Sequence, residues 1–162
     1  MPKHQKPVMI GQAPNGDLGE PCTGQPYLRM ARTLGWRTIE AQVEFLEQFE
    51  RRTLLDERPV PISGNGESFP MPDAREAAQM MRKDLEGRTV FMVGRAVADA
   101  FGLGNYPLFE WKDDCPSMGA RTVVIPHPSG KGFWWNDEVN RNRARSFFKE
   151  FVREESVVEA TP

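Results

Sequence analysis

The sequence predicts an α/β domain with a mostly parallel sheet. Four short apolar runs rich in β-branched residues stand apart along the chain, and helical patterns fill the gaps between them. Strands that alternate with helices favour a parallel sheet joined by right-handed crossovers. At 162 residues and 39% hydrophobic composition, the chain is long enough for one sizeable core. We therefore expect a single domain over residues 1–162, with a core from about 7 to 152 and a frayed tail over 154–162.

The strands are predicted at the four apolar runs, which cover residues 8–10, 53–55, 89–93 and 122–125. The first gap holds two helices. Apolar residues at helical spacing predict one helix that ends at Gly35, and Thr38 is placed to cap the next. In the loop-rich second gap, residues 59–72 read as a surface loop because of their prolines and glycines.

Two further helices are predicted later in the chain. Asp73 precedes Glu76 by three residues, which is the spacing of a capping box, and Gly87 is placed to close that helix. The final helix runs from 138 to about 153 and carries four apolar residues on one side: Phe147, Phe148, Phe151 and Val152. Three of its arginines point largely elsewhere: Arg141, Arg143 and Arg145. They can bind DNA phosphates, but a solvated face that pairs with Glu138 and nearby acids is the favoured interpretation.

Composition narrows the classes of function. A net charge of −2 and a pI near 5.8 argue against a protein coated in positive charge, so contact with nucleic acid must come from a local patch. No run of about 18 apolar residues is present, and no signal segment is visible, so we expect a cytoplasmic protein. Cys22 and Cys115 lack partners at metal-binding spacing, so we expect no metal and no other cofactor. The sequence also lacks a phosphate loop, a dinucleotide fingerprint and a nucleophile elbow.

The candidate site follows from where the strands end. In an open parallel sheet, ligands bind outside the carboxyl ends of the strands. That rule selects residues 12–17, Asp56, Gly94 with Arg95, and residues 127–135. His127 precedes a proline, which restricts its backbone toward extended conformations. Its imidazole can stabilise an oxygen that gains negative charge or act as an acid or base, or it can be satisfied by a backbone carbonyl.

The residues after His127 offer two further chemistries. The turn SGKG at 129–132 combines a hydroxyl, backbone N–H groups and an ammonium, a set that suits phosphate, although such a turn is also an ordinary solvated loop. The aromatic triplet at 133–135 can wedge into a base stack or offer a stacking surface. Aromatic triplets are more often core, and we expect at least one of these rings to pack under the last helix.

Together, these segments resemble the uracil-DNA glycosylase superfamily. Residues 10–15, IGQAPN, and 127–129, HPS, look like its two signature motifs, each at the end of the appropriate strand. Residues 94–103, GRAVADAFGL, resemble the segment after the third strand in small members of that superfamily. The similarity runs in order over most of residues 7–152. The resemblance implies a three-layer α/β/α sandwich around a four-stranded, mostly parallel sheet.

The resemblance also implies an activity. Such enzymes bind DNA containing an altered base, extrude the nucleotide and hydrolyse its N-glycosidic bond. Some branches hold an iron–sulfur cluster on four cysteines, which this chain lacks, so we expect a monomer without a cofactor or metal. By carry-over, His127 stabilises the departing base, with Gln12 and Asp17 as further catalytic candidates. The implied base-binding set is Gly11, Gln12, Ala13, Tyr27, Thr53 and Asp56. The implied DNA-binding set is Pro14, Asn15, Pro128, Ser129, Gly130, Lys131, Phe133 and Trp134.

The first motif departs from the family pattern and leaves an alternative open. Many members carry an acid or Asn there to activate water, whereas this chain has Gln12 and Ala13, neither of which is a general base. Asp17 or Asp56 can substitute, although a turn or cap role is the favoured interpretation of each. Asp56 also stands near where familiar members use Asn to read uracil, so the recognised base need not be uracil. The alternative is a non-hydrolytic base- or nucleotide-binding relative, or an enzyme that modifies unusual DNA bases; an interaction protein on an inherited fold is a third.

Overall fold

A computed structural model describes residues 5–12, 22, 24–55, 70–113, 119–128 and 133–160. Four strands form one sheet within these residues: β1 (Val8–Gly11), β2 (Glu50–Thr53), β3 (Thr89–Val93) and β4 (Arg121–Ile125). The strand order is β2-β1-β3-β4, and all three pairings are parallel. The predicted α/β fold with a parallel sheet is confirmed.

Helices connect the strands. The described residues form α1 (Gln25–Thr33), α2 (Ile39–Glu47), α3 (Met71–Leu85), α4 (Arg95–Ala100) and α5 (Glu138–Ala160), with a 3₁₀ helix at Phe133–Asn136 before α5. The two helices predicted in the first gap are confirmed, and the Thr38 hydroxyl accepts a hydrogen bond from the Ala41 N–H at 3.1 Å, as its predicted role as a cap requires. No helix in the described part of the chain is long and apolar enough to cross a membrane.

The two faces of the sheet bury two separate sets of side chains. One face, with Val8 and Ile10, packs against α3 and α4. The other, with Met9 and Phe91, packs against α1, α2 and α5. Alternate strand residues point to opposite faces of a sheet, so β1, β3 and β4 each contribute to both sets. This arrangement is consistent with a three-layer sandwich.

Aromatic rings fill the face covered by α5. Phe91 in β3 is fully buried, and five rings lie within 6.4 Å of its ring centre: Phe49, Trp111, Phe147, Phe148 and Phe151. Three of these come from α5, so the predicted apolar side of the last helix does face the core. This packing sets the position of α5 against β3 and β4. The helix also continues to Ala160, beyond the predicted end at about 153.

The predicted bounds of β2 are wrong. The strand begins at Glu50 rather than Thr53, and all four of its residues are half-buried. It lies at the edge of the sheet, where one side faces solvent, so polar residues are tolerated and apolar composition is a poor guide. Arg52 pairs with Glu50 at 2.8 Å on that edge. Backbone N–H groups of Leu54 and Leu55 still donate to the Gly11 and Gln12 carbonyls, which extends the pairing to the predicted run.

The predicted cap of α3 is also wrong. The helix begins at Met71, Pro70 occupies the N-cap position, and Asp73 lies inside the first turn. Pro72 explains the earlier start, because the fixed φ of proline suits the first helical positions. The predicted loop at 59–72 therefore ends two residues early, and its residues up to 69 lie outside the described part of the chain. Gly87 follows the helix at a φ of 75°, as its predicted closing role requires.

Candidate functional site

The strand order directs attention to one edge of the sheet. The chain leaves β1 toward β2 on one side, and β3 with β4 lies on the other side. The crevice between such diverging connections, outside the carboxyl ends of the strands, is the usual ligand site of an open parallel sheet. Gln12 follows β1, Gly94 follows β3, and His127 stands two residues beyond β4. All three lie at this edge.

Two predicted catalytic side chains lie close to Gly94. A Cβ atom at Gly94 would lie 3.6 Å from Nε2 of Gln12 and 3.5 Å from Cβ of His127. The Gly94 N–H donates to the Ile125 carbonyl at 2.8 Å, which ties the end of β3 to the end of β4. Its backbone, with φ 95° and ψ 155°, occupies a region that only glycine adopts readily. The structure thus brings Gln12 and His127 together over a position that has no side chain.

His127 is half-buried, and its burial lowers the pKa of the imidazole below 6.5. The neutral form is therefore the major one at neutral pH. A neutral imidazole carries one N–H donor and one acceptor nitrogen, and partial burial strengthens any hydrogen bond that it makes. Chemically, the neutral His127 imidazole can donate its N–H to a carbonyl oxygen at this edge without first gaining a proton.

Tyr27 and Cys22 lie beneath the edge. The Tyr27 ring is 4% exposed and meets the His127 ring edge-on at 6.3 Å. A Cβ atom on Gly11 would lie 3.1 Å from both the Tyr27 hydroxyl and the Cys22 sulfur, so these groups crowd the end of β1. Because Tyr27 is almost fully buried, its ring packs against His127 in the described structure. Stacking on a base would require the ring to become exposed.

Sequence reasoning missed Cys22. Its thiol is 1% exposed and lies 3.7 Å from both the Met9 and the Arg52 carbonyl oxygens. Burial raises the pKa of this thiol to about 11, and burial also raises the pKa of the Tyr27 hydroxyl. Both groups are therefore uncharged at neutral pH, as buried polar groups in a core should be. A lone cysteine in a turn carries no sequence signal for this position.

Thr53 ends β2 beside Gly11, its register partner in β1. Its hydroxyl donates to the Leu55 carbonyl at 2.9 Å. The side chain is half-buried, and this bond holds the turn at the end of the edge strand. Thr53 therefore lies on the predicted edge, and its proposed contact with a base stays a prediction.

Trp134 packs against the body of the protein. Its ring stacks on Phe109 at 5.2 Å and meets Trp135 edge-on at 5.0 Å. The Trp134 carbonyl accepts a hydrogen bond from the Asn140 side chain at 3.0 Å, which joins the 3₁₀ helix to α5. These contacts favour the packing alternative for this ring, as expected for at least one member of the triplet.

Trp135 contacts the backbone that carries His127. Its indole N–H lies within hydrogen-bonding distance of two carbonyl oxygens, 3.3 Å from that of Pro126 and 3.2 Å from that of His127. Pro128, which follows, is buried. From the sequence, Trp135 is only a member of the aromatic triplet; its contact with the backbone of His127 becomes visible in the fold.

Arg153 of α5 pairs with Glu150 at 3.9 Å. In the described part of the chain, no ion pair joins an acid to the other three arginines of this helix. Each donates to a main-chain carbonyl: Arg141 to Trp135 at 3.0 Å, Arg143 to Leu108 at 2.7 Å, and Arg145 to Thr33 at 2.7 Å. The prediction of pairing with Glu138 is wrong because these carbonyls come from loops and helix ends that the sequence does not place beside α5. A guanidinium has five N–H donors, so a phosphate contact stays a prediction.

Arg95 has a similar structural task. Its guanidinium donates to the Gly104 carbonyl at 3.1 Å and to the Tyr106 carbonyl. It therefore ties the loop after α4 to the carboxyl edge of the sheet. The Tyr106 hydroxyl in turn donates to the Trp111 carbonyl at 2.9 Å. Backbone hydrogen bonds to β4 hold the far part of this loop: the Phe109 N–H donates to the Val124 carbonyl at 3.0 Å, and Lys112 pairs with Thr122.

Several predicted site residues lie outside the described part of the chain. They are Ala13, Pro14, Asn15, Asp17, Asp56, Ser129, Gly130 and Lys131. Phe133 is described only as part of the 3₁₀ helix, without its side chain. Their assignments stay predictions. Among the residues that are described, no group of three His, Cys, Asp or Glu side chains could hold a metal ion.

No protein-family model matches this sequence, and no curated protein is significantly similar to it.

Proposed function

We propose that this protein is a monofunctional DNA glycosylase that hydrolyses the N-glycosidic bond of uracil or another altered base. The observation that supports the proposal most is the meeting of Gln12 and His127 over Gly94, at the carboxyl edge where the sheet topology favours a ligand. An amide and a neutral imidazole together supply the donors and acceptors that the edge of a pyrimidine requires. Gln12 and His127 belong to the motifs IGQAPN and HPS, on which the resemblance rests.

The proposed reaction moves one electron pair onto the base. As the bond between C1′ and the base nitrogen breaks, its electrons stay with the base, and negative charge develops on a carbonyl oxygen. His127 would donate a hydrogen bond to that oxygen, an interaction that grows stronger as the charge develops. Water then adds to C1′ and releases a proton, so that the products are an abasic sugar and a free base. Loss of one such donor commonly costs about 10²- to 10³-fold in rate.

The proposed substrate must leave the helix to reach this edge. A glycosylase extrudes its target nucleotide at a cost of a few kcal/mol and recovers it through contacts in the pocket. Ser129 and Lys131 are proposed to hold the flanking phosphate, and Asp17 or Asp56 to activate water. Thr53 and the backbone at Gly11 and Gln12 are proposed to line the base pocket.

A second candidate function is base or nucleotide binding without hydrolysis. The specific observation in its favour is that the two described side chains meeting over Gly94 are an amide and an imidazole. The amide of Gln12 cannot accept a proton from water as a carboxylate can. Such a pocket can read a base and leave the sugar intact.

One assay separates the two candidates. The purified protein is incubated with labelled oligonucleotides that carry uracil, hydroxymethyluracil, hypoxanthine or a mismatched thymine, and alkali then reveals abasic sites as strand breaks. A glycosylase gives a break at one altered base, and His127→Ala reduces it about 10²-fold or more. His4→Ala, at the only other histidine of the chain, is the matched control and should cleave normally. Base-selective binding with no break on any substrate would support the second candidate instead.

A further inference from the structure

We infer that Trp135 is a positioning residue for His127, acting through its indole N–H. The inference rests on the proposed function, since it assigns a second residue to the same reaction. The indole nitrogen lies 3.3 Å from the Pro126 oxygen and 3.2 Å from the His127 oxygen. Those two carbonyls belong to the peptide groups on either side of the His127 Cα. One donor therefore restrains both peptide planes from which the imidazole projects.

Other contacts restrain the same stretch from both ends. Before it, the Ile125 carbonyl accepts from the Gly94 N–H at 2.8 Å. After it, Pro128 is buried and limits the backbone of His127 to extended conformations. The indole N–H restrains the Pro126 and His127 carbonyls, which lie between these two restraints. With all three in place, the backbone sets the direction of the His127 Cα–Cβ bond, from which the imidazole projects.

Trp135 is itself held in place. Its carbonyl accepts from Arg141 of α5 at 3.0 Å, and its ring meets Phe109 edge-on at 6.5 Å. Arg141 thereby connects the long helix to the 3₁₀ helix. The path from α5 to His127 thus runs through one residue: Arg141 fixes the Trp135 backbone, and the indole fixes the histidine backbone.

The effect should fall on the chemical step. A misplacement of about 1 Å in a catalytic group can cost about 10²-fold in rate. Trp135→Phe keeps an aromatic ring and removes the N–H donor. We expect kcat to fall by about 10- to 100-fold while KM changes less than about 3-fold, because the base pocket itself is intact.

Trp111→Phe is the matched control, because Trp111 packs against the same aromatic cluster through Phe147 and Phe151. It makes the same chemical change away from the candidate site. Both variants should lose some thermal stability, but only Trp135→Phe should lose kcat at a temperature where each is folded. Equal kcat values for the two variants, with wild-type cleavage intact, would overturn the positioning role and leave the glycosylase proposal standing.

Nuclear magnetic resonance tests the inference without any catalysis. The chain has four tryptophans and two histidines, so the indole and imidazole signals are few and can be assigned by substitution. We expect the Trp135 indole proton to exchange slowly with solvent, and the His127 imidazole signal to broaden or shift in Trp135→Phe but not in Trp111→Phe. Fast indole exchange, or an unchanged His127 signal, would overturn the inference. If the wild type cleaves no substrate but these signals behave as expected, the proposed function fails and the restraint on His127 stands.

Discussion

Replacing Gly94 by alanine should damage stability and the candidate site together. The backbone of Gly94, with φ 95° and ψ 155°, lies in a region essentially reserved for glycine, and holding another residue there costs about 1–3 kcal/mol. The new methyl group would lie 3.5 Å from the nearest His127 atom and 3.6 Å from the nearest Gln12 atom, which are ordinary contact distances. The backbone therefore accounts for the loss of stability, and the methyl group occupies the gap between the two side chains that a base edge would need.

Gly87 provides the control. It has a φ of 75° and open space around it, and it precedes β3 at the opposite edge of the sheet. Gly87→Ala should lose about 1–2 kcal/mol from a left-handed backbone conformation and keep full activity. Thermal unfolding reports each loss, at about 2–4 °C for each kcal/mol in a domain of this size. Wild-type stability of Gly94→Ala, or full cleavage activity in that variant, would refute this reasoning.

Three further predictions address the histidine, the buried thiol and the core. Because burial lowers the pKa of His127, the native state binds fewer protons than the unfolded state once the pH drops below about 6.5, so the free energy of unfolding should decrease as the pH is lowered through that window. Urea unfolding should show a smaller decrease in His127→Gln, and an imidazole titration midpoint at or above 6.5 would contradict the prediction. In a Cys115→Ser background, Cys22 should react with a thiol reagent at pH 8 only as fast as the protein opens, because its thiol is buried and its pKa is about 11. Rapid labelling of the native protein would contradict the burial of this thiol. Phe91→Ala should cost about 3–5 kcal/mol in denaturant unfolding because the ring is fully buried among other rings, and a loss below about 1 kcal/mol would mean that the cluster is not the core.

The central strands could be predicted because burial on both faces makes them continuously apolar. Residues 8–10 and 89–93 are of this kind, and the structure places strands there. The edge strand β2 could not be located in the same way, because its four residues are half-buried and its composition is polar. The start of α3 was misplaced for a different reason: two prolines near its first turn outweigh the cap signal of Asp73.

The candidate site shows a similar division. Gln12 and His127 were predicted from the general rule about strand ends, which requires only that the strands be recognised. Cys22 and the indole bond of Trp135 could not be found in that way. Each depends on side chains from distant parts of the sequence meeting in three dimensions, and neither follows from a local pattern. The carbonyl partners of Arg143 and Arg145 escaped prediction for the same reason.

We propose that His127 faces a base-binding site at the carboxyl edge of the sheet. The most direct measurement is the imidazole signal of His127 during titration with free uracil, hydroxymethyluracil and hypoxanthine. We expect a saturable shift with at least one of these bases, which Gly94→Ala abolishes and Gly87→Ala leaves intact. An unchanged His127 signal with every base, in a protein whose other signals show it to be folded, would contradict the claim.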